Sequence, residues 1–163
     1  YRSIGINRND FMSLIQMRPE GGAAFGTLEW VAYASNAFNT MVPFYADVDE
    51  IPEYLANTTG EVSTENFYWT SRMIAAMADA SYGKSLFHVE HYQENVLAKS
   101  HALINQYDAL LADEKDPEKQ MELKRKANRK VAEMVQKEAS ATLKKVLYEL
   151  SNQMKNSYAR SDV

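Results

Sequence analysis

The chain of 163 residues contains no cysteine. Within it, disulfides, a cysteine nucleophile and a cysteine-ligated zinc are therefore excluded. No apolar run approaches the ~18 residues that would point to a membrane-spanning helix. The charge is poorly one-sided: 18 basic against 22 acidic residues leave a net −4. That balance weighs against a nucleic-acid partner, which asks for a basic face, and leaves small-molecule and peptide ligands open. Neither common glycine-rich phosphate loop occurs; Gly21-Gly22 lacks the strand-to-helix setting. The opening Tyr1-Arg2-Ser3-Ile4-Gly5 is not a signal peptide and has no initiator Met, so a segment lost upstream is expected.

What is present is an ordinary globular composition, 45% apolar and 25% charged. The length fits one domain, and a chain of this size buries ~70% of its unfolded surface. Composition splits it in two. Residues 1–64 hold every glycine but Gly83 and three of the four prolines, and read as strand-rich. Residues 65–163 are rich in Ala, Lys, Glu, Gln, Leu and Met, and read as helical. Strands followed by helices is the order of an α+β domain.

Alternation predicts strands over about Phe11–Arg18, Thr27–Ala34 and Thr40–Ala46. Both faces of the second are mostly apolar, which predicts cover on both sides. Pro52–Leu55 reads as a short helix, and Asn57-Thr58-Thr59-Gly60 as a loop whose match to a glycosylation sequon is read as a turn. A helix is predicted from about Thr64 to Ala80, with Gly83 as its stop. The next runs from about Lys84 to Ala112 on the stripe Val89, Tyr92, Val96, Leu103, Tyr107 and Leu110. Asp116-Pro117-Glu118 starts the last, with Asp116 as N-cap. Its stripe is Leu123, Ala127, Val131, Met134, Ala139, Val146, Leu150 and Met154. The short connection predicts an antiparallel helical hairpin.

Few residues advertise chemistry. His88-Val89-Glu90-His91 is the one histidine cluster; it lacks a third ligand and the zincin order, so it reads as solvated or capping, and no metal or cofactor is expected. Lys124-Arg125-Lys126 and Arg129-Lys130 read as a solvated helix face. No Ser-His-Asp set is marked by spacing. Between the second and third strands, Asn36 and Asn39 fit turn chemistry. They also fit amide donors to a substrate carbonyl. Arg2, Arg8 and Arg18 stand near the first strand, where a guanidinium holds a carboxylate in a bidentate fork.

Several long blocks then resemble the bacterial dipeptidase A family: Tyr1-Arg2-Ser3-Ile4-Gly5-Ile6-Asn7-Arg8-Asn9, Ser13–Pro19, Ser35–Ala46, Tyr54–Thr59 and Val62–Trp69. They reach to about Tyr82; the helical tail matches only in character. The resemblance implies a cysteine-type peptidase of the N-terminal-nucleophile hydrolase superfamily, with secernins, penicillin V acylase and bile salt hydrolase as relatives. It implies a four-layer αββα sandwich, of which residues 1–163 would be the C-terminal portion, antiparallel strands followed by the helical hairpin. The family's nucleophile is an N-terminal cysteine, absent here, so no catalytic residue is expected in this chain and alone it should be inactive.

By position, Arg2 is the candidate for the arginine that relatives place beside the nucleophile, with Arg8 as the alternative. Asn36 and Asn39 become candidate substrate contacts, and the oxyanion asparagine is expected outside this chain. The implied partners are a dipeptide, the N-terminal remainder carrying the cysteine and a second copy of the chain, with neither nucleic acid nor membrane. The implied location is cytoplasmic. The rival readings are a non-catalytic interaction module and a homologue that has lost its nucleophile.

Overall fold

A computed structural model describes residues 9–154. Among these, strands β1 (Phe11–Met17), β2 (Thr27–Tyr33) and β3 (Val42–Tyr45) form an antiparallel sheet in the order β1-β2-β3. Phe11 lies opposite Tyr33 and Met17 opposite Thr27; Leu28 lies opposite Tyr45 and Val31 opposite Val42. A 3-10 turn (Pro19–Gly21) and a one-turn helix, α1 (Gly22–Phe25), join β1 to β2. The turn needs its glycines: a Cβ on Gly26 would sit 2.3 Å from the Gly22 carbonyl oxygen, and Gly22 has φ +50°.

Four helices follow: α2 (Glu53–Ala56), α3 (Phe67–Ala80), α4 (Tyr82–Asp113) and α5 (Pro117–Asn152). Asn66 caps α3 by accepting from the Trp69 amide at 2.8 Å, and Asp116 caps α5 by accepting from the Glu118 amide at 3.0 Å. The α3–α4 break falls at Ser81, whose φ is −126°, and not at Gly83. Gly83 lies inside the first turn of α4, where an added Cβ would meet nothing within 4 Å.

Helices α4 and α5 run antiparallel. Lys99 meets Glu138 and His88 meets Glu149, so the pairing partners recede along one helix as they advance along the other. The 36 residues of α5 span ~54 Å. Val89, Tyr92 and Val96 of α4, Val131, Val135, Ala139 and Val146 of α5, and Ile74 and Ala78 of α3 share one core. The predicted stripes hold with local corrections. Leu111 is fully buried where Leu110 was expected, and Leu110 is 46% exposed. Met154, beyond the end of α5, is exposed.

Strand β2 is covered on both sides, as its composition predicts. Leu28 and Trp30 face α4 and α5 beside Ile104, Tyr107 and Ala127, while Tyr33 packs on Phe67 and Tyr68 at the start of α3. The outer edge of β3 is closed by a side chain. Asn128 of α5 accepts from the Tyr45 amide at 2.8 Å and donates to the Tyr45 carbonyl at 3.0 Å, doing the work of one residue of a fourth strand.

Lysine 124 does not lie on a solvated face. It is 3% exposed, and its Nζ reaches Asp47 at 2.5 Å and the Ala23 carbonyl at 3.3 Å. Arg125 binds Asp49, and Arg129 binds Glu50 and Glu122. Lys124, Arg125 and Arg129 thus clasp α5 to the acidic turn after β3, while Lys126 is exposed and Lys130 pairs with Glu133 on α5, as a solvated face would have them. No helix among the described residues is long and apolar enough to cross a membrane.

Candidate functional site

The chain leaves β2 through a loop with an unusual backbone. Ala34 has φ +68°, a conformation few residues with a side chain adopt. Its amide donates to the Asp10 carbonyl, at the start of β1. The loop then folds on itself, with the Phe38 and Asn39 amides both donating to the Ser35 carbonyl at 3.0 Å. Asn39 is buried, and its Nδ2 donates to the Ala34 carbonyl at 3.0 Å and to Asn36 Oδ1 at 3.4 Å. From α4, Gln93 Nε2 donates to the Asn39 carbonyl at 2.8 Å and the Ala37 carbonyl at 3.3 Å. Asn39 therefore spends its amide on the loop. Asn36 is half-buried and contributes an acceptor there. Arg2 and Arg8 lie outside the described residues.

This loop forms one wall of a cleft of about 520 Å³. Ser35, Ala37 and Phe38 stand on the loop side, Asn9 and Asp10 at the entry to β1, and Arg72, Ala75, Ala76 and Asp79 on α3, with Tyr82 at the end. Arg72 Nη1 donates to Asp10 and, at 3.3 Å, to the Tyr68 hydroxyl. The guanidinium lies 5.5 Å from the Tyr68 ring centre and 5.9 Å from that of Trp69. Phe38 meets Tyr82 edge-to-face at 6.1 Å. The cleft thus offers a fixed cation, two carboxylates and a small apolar floor.

The remaining polar clusters are built for the fold. Arg18 grips Asp108 of α4 at 2.5 and 3.2 Å and also donates to the Phe25 carbonyl. The Tyr45 hydroxyl donates to Asp108 at 2.7 Å. Burial, then the hydrogen bond to Asp108, pushes the Tyr45 phenol well above its usual range. Burial likewise raises Tyr54 to about 12 and lifts Tyr92 well above its usual range. At neutral pH these phenols are uncharged and not bases; the Tyr54 and Tyr92 hydroxyls are buried without a hydrogen-bond partner among the described residues. His88 Nε2 lies 3.5 Å from Glu149, and the His91 ring packs on Phe87 at 4.5 Å. Among the described residues, no group of three or more His, Cys, Asp or Glu is placed to hold a metal.

Sequence reasoning singled out the loop asparagines and missed Arg72, Asp79 and Tyr82. The available signal was the spacing Arg72, Ala75, Ala76, Asp79, which puts two opposite charges on one helix face with only alanines between them.

A family model described as Peptidase family C69 matches residues 1–95. Among curated proteins, the chain is 42% identical over 164 residues to a "Probable dipeptidase A" of Streptococcus pyogenes serotype M18 (strain MGAS8232), covering 99% of this chain and 33% of that protein. It is 34% identical over 200 residues to a "Dipeptidase" of Bifidobacterium longum (strain NCC 2705), covering 99% of this chain and 37% of that protein. A "Probable dipeptidase B" of Lactococcus lactis subsp. lactis (strain IL1403) is 32% identical over 108 residues, 66% of this chain and 23% of that protein. The chain spans about a third of the length of the curated relatives it matches first. The helical tail, expected to match only in character, is included in the alignments that cover 99% of the chain.

Proposed function

The chain belongs to peptidase family C69, and on that premise we propose that it is the C-terminal portion of a dipeptidase whose nucleophilic cysteine lies outside these residues. The observation that carries the reading is the 42% identity to a probable dipeptidase A across 99% of the chain. With no cysteine of its own, the chain contributes substrate-binding surface and not the nucleophile. In the proposed reaction an N-terminal thiolate attacks the peptide carbonyl carbon and its α-amine manages the proton. The C–N bond breaks, the C-terminal amino acid leaves with the proton, and water hydrolyses the thioester. Arg2, with Arg8 as the alternative, stands beside that nucleophile, and Asn36 and Asn39 lie along the substrate. Of the two, Asn36 is the freer to do so, because Asn39 is engaged with the Ala34 carbonyl.

The same proposal places these residues in one αββα domain of four layers. Supporting it are the bare apolar residues of β1: Phe11 and Ile15 point to one side of the sheet, Leu14 to the other, and all are more than half exposed. A second sheet packed on one face of β1 would bury Phe11 and Ile15. Self-association through the hairpin, where Leu97, Leu110, Leu147 and Tyr148 stand exposed, and a cytoplasmic location complete the reading. Sedimentation and fractionation test these two points.

The direct test is dipeptide hydrolysis by the full-length protein and by this chain alone. Turnover by the first and none by the second is expected, and Arg2→Ala should depress turnover in the full-length protein. A full-length protein inert towards dipeptides would leave the two rivals, a binding module or a homologue without its nucleophile. Unchanged turnover in Arg2→Ala would remove that residue from the site.

A further inference from the structure

We propose that Gln93 is a positioning residue for the substrate: from outside the cleft it holds the loop of residues 34–39, one wall of that cleft, in the shape the substrate meets. The inference deepens the peptidase reading above and rests on it. Ala34, Ser35, Ala37 and Phe38 of the loop line the cleft, and Gln93 of α4 does not. The loop begins under strain. Among the described residues, Ala34 is the one residue other than glycine with a positive φ, at 68°. The left-handed region crowds any side chain against the backbone. Such a conformation persists only where its surroundings over-determine it, and it is a recurrent feature of ligand-binding walls.

Most of the loop's hydrogen bonds close within it. The Phe38 and Asn39 amides donate to the Ser35 carbonyl, and Asn39 Nδ2 donates to the Ala34 carbonyl. These bonds fix the loop's shape and leave its place open. Among the described residues, two hydrogen-bonded ties fasten it to the rest of the fold. At its start the Ala34 amide donates to the Asp10 carbonyl at 2.9 Å. At its end Gln93 Nε2 donates to the Asn39 carbonyl at 2.8 Å and to the Ala37 carbonyl at 3.3 Å. Gln93 is well placed for this, because its neighbours Tyr92 and Val96 are set in the core shared by α3, α4 and α5. A primary amide has two N–H donors on one nitrogen, so a single side chain serves both carbonyls. Asn39 is buried, and without Gln93 its carbonyl would lose that partner. Phe38 adds an edge-to-face contact with Tyr82, which leaves both carbonyls unheld. A wall fixed in advance spares the substrate the ordering of the loop on binding. Gln93 therefore sets affinity for the substrate without touching it.

Hydrolysis of an alanyl-alanine dipeptide by variants of the full-length protein tests this. Gln93→Met keeps the side chain's length and removes both donors. It should raise KM roughly three- to tenfold with kcat largely kept. A purely structural defect would instead lower the folded fraction, and with it the apparent kcat, at unchanged KM. Gln93→Lys, which puts a donor back, should recover part of the loss. Ala34→Gly separates shape from stability. Glycine accepts this φ without strain, so the melting temperature should hold or rise while the loosened loop raises KM. Hydrogen exchange gives a readout without turnover: peptides spanning residues 34–39 should exchange faster in Gln93→Met, and those of α5 should not change. Should Gln93→Met fail to fold, Gln93→Asn, which keeps the amide and shortens its reach, takes its place. Unchanged KM in the Gln93 and Ala34 variants, or a fall in kcat alone, would overturn the inference while leaving the dipeptidase reading in place. A wild-type protein that hydrolyses no dipeptide would overturn both.

Discussion

Strand β1 and helix α5 both carry apolar side chains at regular spacing, and they meet different fates. Along α5, Ala127, Val131, Val135, Ala139 and Val146 are fully buried. Along β1, Phe11, Leu14, Ile15 and Met17 are 51–78% exposed. The helix finds its cover inside the chain, against α3, α4 and β3. Among the described residues the strand pairs with one neighbour, β2, and most of its side chains are exposed. A row of apolar side chains on a free sheet edge is an aggregation template unless something covers it. The helices thus share a core within the chain, although Leu97, Leu110, Leu147 and Tyr148 stand exposed on the hairpin, whereas most of the apolar side chains of β1 are exposed. The cleft sits between the two, with α3 as one wall and the start of β1 as the other.

The largest expected effect is on the helical side. Phe67 is fully buried between Tyr33 and Tyr54. Phe67→Ala should cost about 3–5 kcal/mol by leaving a cavity where three elements meet, read from the shift in denaturation midpoint. Asn128→Ala comes next, at roughly 2–4 kcal/mol, because it strands the buried amide and carbonyl of Tyr45. An unchanged midpoint would mean that the edge of β3 does not need its side-chain partner.

The β1 side should answer differently in two contexts. In the chain alone, Ile15→Lys should move stability by no more than ~0.5 kcal/mol. In the full-length protein the same change should cost about 1.5–3 kcal/mol if the remainder buries that face. Equal small effects in both would contradict the contact.

The smallest effects are electrostatic and exposed. Hydrogen bonds from Arg125 hold the Asp49 carboxyl below its usual range, and Arg129, then Arg125, does the same for Glu122. The unfolded chain therefore takes up protons first as the pH falls, so the stability these groups lend is present above the ordinary carboxylate range and is lost below it. At the alkaline end the raised Tyr45 phenol works in the opposite sense, and stability falls as the pH rises past its ordinary value of 10.0. Melting curves against pH check both. Salt should flatten the acid limb, since the carboxylates that define it are solvent-exposed.

How far the sequence could be read follows from which forces are local. Asp116-Pro117 fixed the start of α5 because a cap acts within one turn. The three strands were visible in alternation to within about two residues. Gly83 misled because a glycine ends a helix only where the backbone turns left-handed, and here Ser81 breaks the chain first. Lys124 misled because its partners, Asp47 and the Ala23 carbonyl, are far away in sequence. Asn39 was legible as turn chemistry, since its bonds close within five residues. Arg72 and Asp79 look, in sequence, like any solvated helix charges. Only the tertiary fold, which brings the Ala34–Phe38 loop and Asp10 across from them, makes them the two ends of a cleft.

The central claim is that this chain binds the substrate while a thiol elsewhere in the polypeptide cleaves it. Alkylating the full-length protein with iodoacetamide, following dipeptide turnover and mapping the label by mass spectrometry tests that claim directly. The account predicts that turnover falls in step with one label, on an N-terminal cysteine outside these 163 residues. Full turnover after complete alkylation would contradict it.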